Sequence, residues 1–83
     1  MEIKLVGSNC SNGTKLKKIL NKIIKRTDYK IDLNIVDDEK KIKKLNVKNK
    51  PGLIINDVLV SQGKTHSDKD ILKYLKLINE SNA

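Results

Sequence analysis

The chain has one residue capable of sulfur nucleophile chemistry, Cys10, set in Gly7-Ser8-Asn9-Cys10-Ser11-Asn12-Gly13. An apolar run, Ile3 to Val6, precedes this segment, and Leu16, Ile19, Leu20, Ile23 and Ile24 follow it at helical period. A cysteine between a strand end and a helix start offers its sulfur to the unpaired N–H groups and positive dipole end of that helix. Both favour thiolate over thiol, and thiolate is the attacking form. A dithiol redox site needs a second sulfur three residues on, and that position is Gly13. The segment points to thiol chemistry while lacking the partner for an intramolecular disulfide. Cys10 also reads as a small apolar residue in a site without chemistry, and both readings stand at this stage.

The other chemistry-bearing residues have plainer readings. His66 lies far along the chain beside Ser67 and reads as a solvated residue before a helix. Asp37, Asp38 and Glu39 read as a helix-start cluster that complements the dipole, with no metal role. Asp32 falls on the polar side of a strand alternation. Tyr29 and Tyr74 are too few and too far apart for a base-stacking platform. The sequence has no Gly-rich phosphate loop, no His-rich cluster and no evident Ser-His-Asp grouping, so neither a metal nor another cofactor is expected.

Composition narrows the class. A chain of 83 residues makes one small domain, 1–83, which buries roughly 60–65% of the surface its unfolded form exposes. With no Trp or Phe, aliphatic residues must build the core. One cysteine permits no intrachain disulfide, which suits a reducing compartment and a cytoplasmic location. No signal peptide is evident, and no apolar run approaches the ~20 residues of a membrane helix. The net charge of +8 is compatible with an acidic partner. However, the lysines are spread along the whole chain, and the joint excess of Lys, Asn and Ile is what codon bias in an AT-rich genome produces. Specific nucleic-acid binding is therefore the least favoured of three readings, behind thiol exchange and a non-catalytic binding module.

The elements that must position Cys10 follow from periodicity and punctuation. Met1 to Val6 reads as a strand ended by Gly7, and a helix runs from about Asn12 to Arg26. Tyr29 to Val36 alternates as a second strand. Asp37 or Asp38 caps a short helix carrying Ile42 and Leu45 and ending near Asn46. Pro51 precedes a third strand, Gly52 to Ile55. Asn56-Asp57 turns the chain into a fourth, Val58 to Val60. Gly63 breaks the chain. Ser67 or Asp68 then caps a last helix with Ile71, Leu72, Leu75 and Ile78 inward, and Ser81 to Ala83 read as a frayed tail. The order is β-α-β-α-β-β-α, an α/β arrangement with a parallel first pair and a final antiparallel hairpin.

With Cys10 at the first strand-to-helix turn and Pro51 before the third strand, this order resembles the thioredoxin fold. It is most similar to the small thioredoxin-like redox-active disulfide proteins. Gly7-Ser8-Asn9-Cys10-Ser11-Asn12-Gly13 matches their opening, and Pro51-Gly52-Leu53-Ile54-Ile55-Asn56 their second element. The resemblance implies a four-stranded mixed sheet flanked by helices. It places Cys10 at the attacking position and Gly13 at the resolving one, as in a monothiol, glutaredoxin-like variant. Glutathione-binding pieces transfer poorly: Lys50 stands where monothiol glutaredoxins have a small β-branched residue. The resemblance also implies a cis Lys50–Pro51 bond beside the sulfur. The binding surface would then comprise Ser8, Asn9, Ser11, Asn12, Gly13, Lys50 and Pro51, with Lys50 favouring an acidic side chain on a partner. The expected partners are protein or small-molecule thiols and disulfides, met by a monomer. By the same spacing, Gly13→Cys is expected to create a reducible disulfide with Cys10.

Overall fold

The computed structural model describes residues 1–81. Its elements are β1 (Glu2–Val6), α1 (Ser11–Arg26), β2 (Asp32–Val36), α2 (Glu39–Lys44), β3 (Gly52–Ile55), β4 (Val58–Gln62) and α3 (Asp68–Ser81). The four strands form one sheet in the order β2-β1-β3-β4. β1 and β2 run parallel, joined through α1, whereas β1–β3 and β3–β4 are antiparallel. This is the mixed α/β sheet that the sequence implies. Ser81 closes α3, and the rest of the expected tail, Asn82 and Ala83, lies outside the described residues.

The sheet has two unequal faces. Ile3 and Leu5 of β1 and Leu53 and Ile55 of β3 point to one side. There they meet Leu16, Leu20 and Ile23 of α1 and Ile71 and Leu75 of α3. On the other side, Val6 and Ile54 pack on Ile42 of α2 and on Val47. Strand alternation thus divides the apolar residues between a large aliphatic core and a smaller one beneath α2.

Differences from the sequence expectation have local causes. β2 starts at Asp32 instead of Tyr29: its register with β1 begins at the Glu2–Asp32 pair, and ahead of that pair the Met1 ammonium donates to Lys30 O at 2.8 Å. The amide of Asp32 donates to Met1 O, and Tyr29 and Ile31 still pack against the core. β4 extends to Gln62, since Ser61 and Gln62 continue pairing with Leu53 and Gly52 past an irregularity in register. The Asn56-Asp57 turn has φ of 48° and 66°, the left-handed pair that a tight hairpin requires. In α3, Ile71, Leu75 and Ile78 form the inward line, while Leu72, one position round the helix, is 43% exposed and not inward.

His66 differs most from expectation. Its side chain is 12% exposed, not solvated. Its Nε2 is hydrogen-bonded to Ser61 Oγ on edge strand β4, and its ring meets Tyr74 of α3 edge-on at 5.5 Å. Nδ1 lies 4.0 Å from Asp70 Oδ2. Ser61, His66 and Asp70 are therefore neighbours, although their spacing in sequence gave no sign of it. His66 ties the β4–α3 connection to both elements that flank it. We expect His66→Ala to lower stability by about 1–2 kcal/mol, the scale of one hydrogen bond plus an edge-on aromatic contact. Urea unfolding should show a lower midpoint with an unchanged slope.

Candidate functional site

The β1–α1 connection is built so that α1 begins against the end of the strand. Gly7 ends β1 at φ +76°, a conformation that glycine adopts without strain, and its N–H donates to Val36 O at 2.8 Å. A Cβ at Gly7 would lie 2.7 Å from the Lys50 side chain, so residue 50 rests directly on this turn. Ser8 follows, 7% exposed. Its amide donates to Asp37 Oδ1 at 2.7 Å and its hydroxyl to Oδ2 at 2.8 Å. One carboxylate from the β2–α2 connection thereby clamps the β1–α1 connection. Asp37 is available for this because Asp38 is the residue that caps α2, accepting from the amide of Lys40.

Cys10 is the N-cap of α1, in extended conformation (φ −128°, ψ 170°), and it is exposed. Its Sγ accepts the N–H of Gly13 at 3.3 Å and lies 3.8 Å from Gly7 O. The sulfur thus takes the place of the oxygen that usually receives one of the free amides of a helix start. No acidic residue lies in the first turn of α1.

A cavity of about 140 Å³ opens beside the sulfur. Gly7, Asn9 and Cys10 line it from the β1–α1 side, Asp37, Glu39 and Ile42 from the α2 side, and Lys50 from the third segment. The Lys50–Pro51 bond is cis, and Pro51 is fully buried. Cys10 and residue 50 accordingly meet at one end of the sheet, as the adjacency of β1 and β3 requires.

Among the residues singled out from sequence, Asn9, Cys10 and Lys50 share this cavity. Ser8 lies behind it with its hydroxyl occupied by Asp37. Ser11 and Asn12 are exposed on the first turn of α1 and do not line the cavity, and Pro51 is buried behind residue 50. The ammonium of Lys50 is already paired with Glu39 within the chain. Sequence reasoning missed Asp37 and Glu39. The only signal was a run of carboxylates that also reads as an ordinary helix start.

Gly13 carries the largest surprise. It is buried, and a Cβ there would lie 2.8 Å from both Ser8 Cα and Ser8 O and 2.9 Å from Gly7 O. These are backbone atoms, which cannot swing aside as a side-chain tip could. The Gly13→Cys disulfide expected from spacing conflicts with this packing, because the Gly7–Ser8 backbone must shift to admit the new side chain.

The thioredoxin-domain family model matches residues 1–76, and the chain belongs to that family. No curated protein matches it. No helix among the described residues is long and apolar enough to cross a membrane.

Gly13→Ala should cost about 2 kcal/mol or more, the range of an overpacked interior. Gly13→Cys should cost at least as much, and after mild oxidation a thiol titration of the unfolded variant should still count two free thiols. Recovery of an intrachain disulfide without loss of stability would contradict the packing.

Proposed function

We propose that this thioredoxin-domain protein is a monothiol exchange protein acting through Cys10. Cys10 as thiolate attacks a disulfide or mixed disulfide and becomes disulfide-linked to one half. A thiol from outside the chain then releases it. Low-molecular-weight thiols or protein thiols serve as partners, the protein acts as a monomer in a reducing, cytoplasmic setting, and no bound cofactor takes part. Nucleic acid is not a specific partner in this reading.

One observation carries the proposal. The sulfur is exposed at a helix start, an N–H already points at it, and it opens into a cavity that residue 50 borders. The donor supports negative charge on sulfur at the moment of attack, and the cavity admits one half of a small disulfide. The crowded backbone at Gly13 supports an external thiol as the resolving group.

Incubation with bis(2-hydroxyethyl) disulfide followed by intact-mass measurement tests this. A single adduct on Cys10, removed by added monothiol and absent in Cys10→Ser, is expected. Insulin reduction with dithiothreitol should run near background. Absence of an adduct on the folded protein, while the urea-unfolded chain is labelled, would favour a non-catalytic binding module. Turnover driven by thioredoxin reductase alone would overturn the monothiol assignment.

A further inference from the structure

The charges around the Cys10 cavity differ in sign from the charge of the chain. The protein carries +8 overall. The cavity wall holds two carboxylates, Asp37 and Glu39, and one ammonium, Lys50. Glu39 and Lys50 pair with each other and largely cancel. Asp37 is held by the amide and hydroxyl of Ser8, neutral donors that fix its position and leave its charge in place. One uncompensated negative charge therefore remains in the wall beside the sulfur. No lysine of α1 lines the cavity.

Which field an incoming molecule feels depends on distance. Screening acts over about 8 Å at physiological ionic strength, so the scattered surface lysines are damped at the sulfur while the wall charges are not. The volume sets a second limit. About 140 Å³ is room for roughly five waters, enough for a short-chain thiol and too small for a whole peptide.

We propose that the cavity selects small disulfides and thiols bearing an ammonium group near the sulfur over those bearing a carboxylate. This inference rests on the exchange reading above and specifies its substrate class. Cys10 thiolate attacks one sulfur of an aminothiol disulfide. The old S–S bond breaks, Cys10 becomes disulfide-linked to one half, and the other half leaves as thiolate with the bonding electron pair. The bound half places its ammonium by Asp37. A second small thiolate then attacks the sulfur of the bound half and frees Cys10 as thiolate, so the cycle is an exchange without net oxidation.

The test compares cystamine, bis(2-hydroxyethyl) disulfide and dithiodiglycolate by the rate at which each labels Cys10. Each rate is divided by the rate with the urea-unfolded chain, which removes the intrinsic reactivity of the reagent. The folded protein should favour cystamine over dithiodiglycolate by roughly tenfold, the neutral reagent falling between, and 1 M salt should flatten the order. Glu39→Gln, on the exposed first turn of α2, and Asp37→Asn, which keeps an acceptor for Ser8, should each shrink the preference severalfold. Equal normalised rates, a preference for dithiodiglycolate, or a cystamine preference unchanged in both variants would overturn the selection and leave the exchange reading intact. No labelling by any of the three would overturn the exchange reading, and this inference with it.

Discussion

The absence of a side chain at Gly13 lets α1 start in direct contact with the strand-end backbone. Ser8 Cα and O lie where a Cβ would sit. That approach carries the Gly13 amide toward Cys10, so that the sulfur caps the helix. A larger residue at 13 would push the helix start away from Gly7–Ser8 and take the amide with it. Sulfur position and cap thus follow from one contact, and Leu16, Leu20 and Ile23 hold it in place by anchoring α1 to the sheet.

The Asp37 clamp complements this contact from the other side. Parallel pairing of Val6 with Val36 brings the ends of β1 and β2 together, so the residues that follow each strand are neighbours. Asp37 then satisfies the amide and hydroxyl of nearly buried Ser8, which would otherwise be costly to bury. The same carboxylate gives the cavity its sign. One residue therefore links the stability of the loop to the electrostatics beside the sulfur, and Lys50, resting on Gly7 and paired with Glu39, completes the wall.

Much of this was legible in the sequence, for identifiable reasons. Cys10 and Pro51 are single occurrences of their residue types, flanked by clear apolar periods, so their places at a strand-to-helix turn and before a strand could be read directly. The Asn56-Asp57 hairpin is a local signal of two residues. What stayed hidden depends on contacts across the chain. Ser8 and Asp37 are 29 positions apart, and Lys50 and Glu39 are 11 apart. Glycine at 13 looks like a lost cysteine in one dimension and proves to be a packing requirement in three. His66 was misjudged because its partners, on β4 and α3, come together only once the sheet edge and helix are formed.

The central claim is that the fold presents Cys10 for attack instead of merely tolerating it. The most direct measurement is the alkylation rate of Cys10 by iodoacetamide at neutral pH, in the folded protein and in the same chain unfolded by urea. The uncharged reagent removes the influence of the cavity charges on approach. Alkylation is expected to be faster in the folded state, because the Gly13 amide is directed at an exposed sulfur. A folded-state rate equal to or below that of the unfolded chain would contradict it.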